Sequence, residues 1–248
     1  MDKSGKNTDI LYIIIPAYNE EANLPSLIDE WYPVIERHSG GGLSRLVIID
    51  DGSTDDTRSI AEAYSLEKEL LVIISKENGG HGQAVLYGYK YALSNNAQYI
   101  FQTDSDRQTS PDDFESFWRQ RERFDAVIGN RYMREDGVSR ILVSKTVSLT
   151  LAAMLHVFIK DANTPYRLMK ASALSDCIKY IDDGEIIPNI MLTAVFKRRN
   201  YKILYKDIQF KARSAGKNSL DLKKISKIGS GALLRMKKLD ERLRADNT

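Results

Sequence analysis

The chain has 248 residues, 42% of them apolar and 28% charged, with a formal net charge of +2. This is enough apolar material for one large soluble domain, and the lone Cys177 excludes a disulfide framework and any multi-cysteine zinc site. The opening Met1-Asp2-Lys3-Ser4-Gly5-Lys6 has no apolar signal-peptide core, and residues 147–159 are too short a stretch, interrupted by Ser148, Thr150 and His156, to span a bilayer, so a cytoplasmic location is expected.

In chain order, strands are predicted at residues 11–15, 45–49, 70–74 and 99–103, alternating with amphipathic helices at 20–37, 54–66, 81–94 and 111–123. The strand segments are near-continuous Val, Ile and Leu, as expected when both faces are covered. The rhythm therefore predicts repeated βα units and an α/β fold, a mostly parallel sheet sandwiched by helices. Further on, a strand is predicted at 125–129, a long helix at 139–159, helices at 171–180 and 187–199, and an extended segment at 202–210 leading to the turn Arg213-Ser214-Ala215-Gly216-Lys217. Beyond Leu220, Leu222, Ile225, Ile228, Ala232, Met236, Leu239 and Leu243 recur at three- or four-residue steps with lysines on the flanks. That spacing predicts a basic amphipathic helix, interrupted at Gly229-Ser230-Gly231. The expected division is one domain over residues 1–216 and a basic tail over 217–248.

The segment from Lys217 to Arg244 carries nine Lys or Arg against three Asp or Glu, a local +6, so the rest of the chain sums to −4. With no Phe, Tyr or Trp in it, nucleic acid is not the expected partner and a membrane surface of anionic lipid is. The same stripe also suits packing on the domain or on a second subunit, so a homo-oligomer stays open.

Ligands of open α/β sheets bind beyond the carboxyl ends of the strands. Three polar clusters follow predicted strands: Pro16-Ala17-Tyr18-Asn19-Glu20, Asp50-Asp51-Gly52-Ser53-Thr54-Asp55 and Asp104-Ser105-Asp106-Arg107-Gln108. Asp104 and Asp106, with the Gln108 amide two residues further on, offer oxygen donors to Mg²⁺ or Mn²⁺, whose shell substrate phosphates usually complete. A solvated acidic turn has the same spelling; the neighbouring clusters favour the ligand. Asp51 is suited to accept hydrogen bonds from a ribose or a base, while Ser53 or Thr54 can cap the following helix. The glycines of Glu77-Asn78-Gly79-Gly80-His81-Gly82 let backbone approach an anion, although the segment is neither a P-loop nor a dinucleotide fingerprint. A flexible loop is its other reading, and His81 is either a diphosphate contact or simply solvated.

Ile13-Ile14-Ile15-Pro16-Ala17-Tyr18-Asn19-Glu20, Val47-Ile48-Ile49-Asp50-Asp51-Gly52-Ser53-Thr54-Asp55, Asn78-Gly79-Gly80-His81-Gly82 and Asp104-Ser105-Asp106-Arg107-Gln108 occur in the order seen in glycosyltransferase family 2. Over residues 10–217 the chain resembles the dolichol- or polyprenyl-phosphate sugar synthases of that family. The resemblance implies a GT-A, Rossmann-like fold and a metal-dependent, inverting transfer of a sugar from a UDP- or GDP-sugar to a polyprenyl phosphate, at the cytosolic face of the membrane. It implies that Pro16, Tyr18, Glu20, Asp51 and Asp104 hold the nucleotide, and that Asp104, Asp106 and Gln108 surround the metal. Arg131 and Arg213 join Asp104 and Asp106 in the implied catalytic set. The acceptor phosphate is already anionic, so it needs cations rather than a general base, and Arg131, Arg140, Arg213 and Lys217 fit that task. For each of the four a plain surface charge is the other reading.

Two departures stand out. Asp161-Ala162-Asn163-Thr164-Pro165-Tyr166-Arg167 takes the place of a segment that usually contains Ser-Gly, and the C-terminal membrane helices usual in those synthases are not predicted from residues 217–248. Asp182, Asp183 and Glu185 are either a polar turn or the source of a general base for a sugar-hydroxyl acceptor, as in surface polysaccharide assembly. A non-catalytic nucleotide-binding scaffold is the remaining alternative, and the intact Asp104, Asp106 and Gln108 set argues against it.

Overall fold

The computed structural model describes residues 9–131, 157, 159, 163–210 and 222–246, with backbone alone for 222–230 and 232. Four βα units come first: β1 (Leu11–Ala17) and α1 (Leu24–Arg37), β2 (Arg45–Asp50) and α2 (Thr57–Glu67), β3 (Leu71–Ser75) and α3 (His81–Ser94), β4 (Tyr99–Gln102) and α4 (Phe114–Trp118). They are followed by β5 (Ala126–Arg131), β6 (Arg167–Lys170), α5 (Ala171–Ile178), α6 (Pro188–Arg198), β7 (Ile203–Ile208) and α7 (Leu222–Ala245).

The seven strands form one sheet in the order β3-β2-β1-β4-β6-β5-β7. Pairing is parallel except at β6, which runs antiparallel to both β4 and β5. β1 lies inside the sheet and is buried along its whole length. Leu11, Ile13 and Ile15 point to one face and Tyr12 and Ile14 to the other, the period of two that a strand imposes. The first face carries α1, α2 and α4, with Phe101 packed against Trp31 at 5.3 Å and Phe114 at 5.1 Å between ring centres. The second carries α3, α5, α6 and α7. The expected sandwich is therefore present, and each buried Ile or Leu contributes about 1.5–3 kcal/mol to it.

Two close approaches set the position of the ligand edge. A Cβ on Gly88 would lie 2.3 Å from Ile14 Cγ2, so α3 comes down onto β1 only because position 88 has no side chain. β1 also outruns β4: their last pair is Ile14 with Gln102, and Pro16 lies two residues beyond it, where a missing N–H costs no bond to β4.

The structure departs from the sequence reading in three elements. β6 is an unexpected strand, too short at four residues for periodicity to reveal and opened by the charged Arg167. The helix expected at 111–123 is a 3₁₀ turn at Pro111–Asp113 followed by α4 alone. Its apolar face ends with Phe114, Phe117 and Trp118, and Arg119-Gln120-Arg121-Glu122-Arg123 offers nothing to bury. The tail helix is not interrupted at Gly229-Ser230-Gly231: α7 runs through them over 24 residues, each glycine costing about 1 kcal/mol relative to Ala. Met236, Leu239 and Leu243 of its stripe are buried in the same core as α3 and α6, so this half of the stripe faces protein rather than lipid. Leu222, Ile225, Ile228 and Ala232 lie outside the described side chains, and the helix expected at 139–159 outside the described residues apart from positions 157 and 159. No helix among the described residues is long and apolar enough to cross a membrane.

Candidate active site

Four turns at the carboxyl edge of the sheet are tied to one another. After β1, Asn19 adopts a positive φ of 54° and donates its N–H to Ser53 Oγ at 3.0 Å, while its side chain accepts from Thr54 N at 2.8 Å. Glu20 N donates to Thr57 Oγ1 at 2.7 Å, and Glu21 and Asp55 complete the seam between the β1 and β2 turns. Within the β2 turn, Asp50 accepts from Ser53 N at 3.0 Å. Gly52 has a φ of 70°, and a Cβ on it would sit 2.8 Å from Asn78 N, which brings the loop after β3 against the β2 turn.

Asp51 is the knot of this edge. Only 2% exposed, it accepts from the Lys76 ammonium and from the backbone N–H of Gly79 at 3.0 Å and of Gly80 at 2.7 Å. The expected nucleotide reader thus holds the Gly79-Gly80 loop in place with its own oxygens. His81, the first residue of α3, reaches across to the fourth turn, with Nε2 at 3.6 Å from Asp104 Oδ1.

The turn after β4 is closed at its base by Thr103 Oγ1 and Thr109 Oγ1, 2.7 Å apart. Inside it Asp106, 9% exposed, accepts from Gln108 N at 3.1 Å, and Arg107, at a φ of 56°, is anchored by Glu30 of α1. Burial raises the Asp104 carboxyl above the usual carboxylate range; His81 and Arg131 draw it down and Asp106 pushes it further up. Two carboxylates crowded at one strand end, both oxygen donors, are the set a hard cation relieves, and Mg²⁺ or Mn²⁺ needs no more than these from the protein when phosphates supply the rest. The residues therefore fit such an ion, although among the described residues no group of three or more His, Cys, Asp or Glu stands ready for one.

Asp104 rests on a buried polar cluster with no counterpart in the sequence reading. Gln102 Nε2 donates to Asp104 Oδ1 at 3.2 Å, and Gln102 Oε1 accepts from Tyr89 OH at 2.8 Å and Asn189 Nδ2 at 2.9 Å. Arg167, 1% exposed, donates to the carbonyls of Thr164 (2.8 Å) and Asn189 (3.1 Å), tying β6 to the start of α6. Lys76, Gln102, Tyr89 and Asn189 were not among the expected site residues; the one signal in the sequence is an amide ending an otherwise apolar strand.

The other expected residues divide clearly. Pro16, Tyr18 and Glu20 stand at the β1 turn, Tyr18 with 48% of its surface exposed and Glu20 with its carboxylate accepting from Asn23 Nδ2 at 2.7 Å. Arg131 ends β5, its guanidinium 5.2 Å from the Phe210 ring centre and its charge felt at Asp104. Arg140, Arg213 and Lys217 lie outside the described residues. The acidic segment is engaged elsewhere: Glu185 Oε1 accepts from Ile186 N and Ile187 N and faces Arg235 of α7 at 3.4 Å, Asp182 pairs with Arg242, and Asp183 with Lys90.

The family described as Glycosyl transferase family 2 matches residues 12–243. The undecaprenyl-phosphate 4-deoxy-4-formamido-L-arabinose transferase of Shewanella sediminis is 28% identical over 219 residues, which cover 87% of this chain and 63% of that protein. The protein of the same name from Pectobacterium atrosepticum is 24% identical, over 80% of this chain and 60% of its own length. The chain thus spans about three fifths of these relatives. In fold it is similar to glucosyl-3-phosphoglycerate synthase of Mycobacterium tuberculosis, with a TM-score of 0.67 at 19% identity over 94% of this chain and 81% of that one. A structure of that synthase with Mn²⁺, UDP and glucosyl-3-phosphoglycerate superposes with a TM-score of 0.66 at 19% identity, again covering 94% of this chain and 81% of that one.

Proposed function

Since this chain belongs to glycosyl transferase family 2, we propose that it transfers a sugar from a nucleoside-diphosphate sugar to a polyprenyl phosphate, with Mg²⁺ or Mn²⁺ and with inversion at the anomeric carbon. The observation that carries the reading is the continuous run of contacts from Asn19 through Ser53 and on from Asp51 to Gly80, with His81 reaching Asp104, which gathers all four turns around one edge. The names of the undecaprenyl-phosphate relatives supply the acceptor class, and the UDP bound with Mn²⁺ in the mycobacterial structure makes a UDP-sugar the first donor to try, ahead of a GDP-sugar.

Tyr18, half exposed beside Pro16, offers its ring to the base, and Glu20 offers a carboxylate beside the ribose position. Asp51 acts through the loop it holds, aiming the Gly79-Gly80 backbone at the same edge. Asp104 and Asp106, with Gln108, would hold the divalent ion, which supplies neutralisation of the charge left on the departing diphosphate. The acceptor phosphate oxygen forms the new bond to the anomeric carbon as the bond to the nucleoside diphosphate breaks, and the bonding pair leaves with the diphosphate. Arg131, with Arg140, Arg213 and Lys217, positions that phosphate by charge-assisted hydrogen bonds.

A sugar-hydroxyl acceptor would need a free base, and the pairing of Asp182, Asp183 and Glu185 with Arg242, Lys90 and Arg235 weighs against that reading. Attachment to the cytosolic face of a membrane is part of the proposal. With Met236, Leu239 and Leu243 buried, it falls to the outward Leu233, Leu234, Lys237 and Lys238 to meet anionic headgroups.

The test is release of nucleoside diphosphate from UDP- and GDP-sugars with Mn²⁺ or Mg²⁺, with and without a short-chain polyprenyl phosphate. Turnover of one donor only in the presence of the lipid phosphate is the expected result. Turnover only with a saccharide acceptor would overturn the acceptor assignment, and no turnover with any acceptor would favour a binding scaffold.

A further inference from the structure

We infer that Gln102, Tyr89 and Asn189 form a buried positioning relay that fixes the rotation of the Asp104 carboxylate, and with it the strength with which the site holds a divalent cation; the inference rests on the function proposed above. The three residues come from β4, α3 and α6 and are 0%, 0% and 4% exposed. An amide or hydroxyl at such depth costs about 1–3 kcal/mol unless it is hydrogen-bonded, so apolar residues would fill the same space more simply. The polar set closes on itself: Gln102 Oε1 takes hydrogen bonds from Tyr89 OH (2.8 Å) and Asn189 Nδ2 (2.9 Å), and Tyr89 OH stands 3.0 Å from Asn189 Oδ1. The single hydroxyl proton serves one of those two acceptors at a time. What the ring delivers outside itself is the Gln102 Nε2 hydrogen bond to Asp104 Oδ1 at 3.2 Å.

The orientation of that amide is over-determined. Turning it round would set an NH₂ group against Asn189 Nδ2 and a carbonyl oxygen against the Asp104 carboxylate, so the donor stays aimed at Oδ1. Pinning one oxygen of a carboxylate sets the direction of the other. Asn189 is itself held, because the buried Arg167 donates to its carbonyl at 3.1 Å. Orienting groups behind a metal-binding side chain are commonly worth 10–100-fold in metal affinity.

The test is Mn²⁺ binding by the full chain in the presence of UDP, followed by electron paramagnetic resonance of free Mn²⁺, for the wild type, Gln102→Leu and Tyr89→Phe, each with its thermal midpoint. Gln102→Leu removes the donor at similar volume and is expected to weaken Mn²⁺ binding about tenfold. It should raise the Mn²⁺ needed for half-maximal turnover equally, with kcat at saturating Mn²⁺ within about twofold of wild type. Tyr89→Phe deletes one hydroxyl, is expected to weaken Mn²⁺ binding about threefold, and carries the test should Gln102→Leu not fold. Lowered midpoints with unchanged Mn²⁺ affinity would make the relay merely structural and overturn the inference alone. A wild type that binds no Mn²⁺ with UDP, nor with GDP in its place, would overturn the functional reading and the relay together.

Discussion

Asp51 and Asp106 are both nearly buried carboxylates at strand ends, yet their substitutions should fail differently. Asp51→Ala deprives Lys76 and two backbone N–H groups of their acceptor. The expected loss is about 2–4 kcal/mol, read as a lower urea midpoint, with UDP affinity falling alongside as the loop comes loose. Asp106 accepts the backbone N–H of Gln108, which an amide oxygen accepts equally well. Asp106→Asn should therefore keep the thermal midpoint within about 2 °C while Mn²⁺-dependent UDP binding falls more than about tenfold. Parallel loss of stability and binding in Asp106→Asn would remove Asp106 from the metal set. Residues of this kind are legible in sequence because a carboxylate closing a Val/Ile run has to emerge at the sheet's carboxyl edge. Lys76 and Gln102 are not legible: their meaning comes from Asp51, 25 positions away, and Asn189, 87 positions away.

Elements are legible where their apolar period is long enough to count. The spacing within α3 locates it to the residue, and β1 to β4 are found within two residues at either end because their runs are continuous. β6 is hidden by its brevity and by Arg167, whose burial is supported by the carbonyl of Thr164 in its own segment and by that of Asn189, 22 positions away. α7 is legible as an amphipathic helix, but a stripe of Met and Leu looks the same facing lipid or facing protein. Leu239 decides between them: it is 3% exposed and shares the core with α6. Leu239→Ala is expected to cost about 2–4 kcal/mol in a denaturant titration carried out without lipid. A change below about 0.5 kcal/mol would mean that the stripe is not docked in solution.

Across the whole molecule, the basic tail and the acidic remainder are partly complementary within one chain. Arg242 meets Asp182 and Arg235 faces Glu185 in that sense, while in the opposite sense Arg198 meets Asp240 and Arg199 bridges Asp176 and Asp246, so the end of α7 is laced to α5, α6 and the segment between them. The charge asymmetry was visible in the sequence; that part of it is satisfied internally was not, because the partners come from segments with no pattern in common. Tyr201 OH, then Lys179 and Arg199, hold the Asp176 carboxyl below the usual range, and Tyr180 OH, then Arg199, do the same for Asp246. A carboxyl depressed on folding adds stability that is complete above its unfolded value, about 3.9, and is lost as pH falls through the lower folded value. The thermal midpoint of the wild type should thus exceed that of Asp176→Asn by a constant margin from about pH 8 down to about pH 5, and the margin should close below about pH 4. A margin that does not begin to narrow as pH falls below about 4, or closes already near pH 6, would show that the lacing of α7 does not depend on these ionised carboxylates.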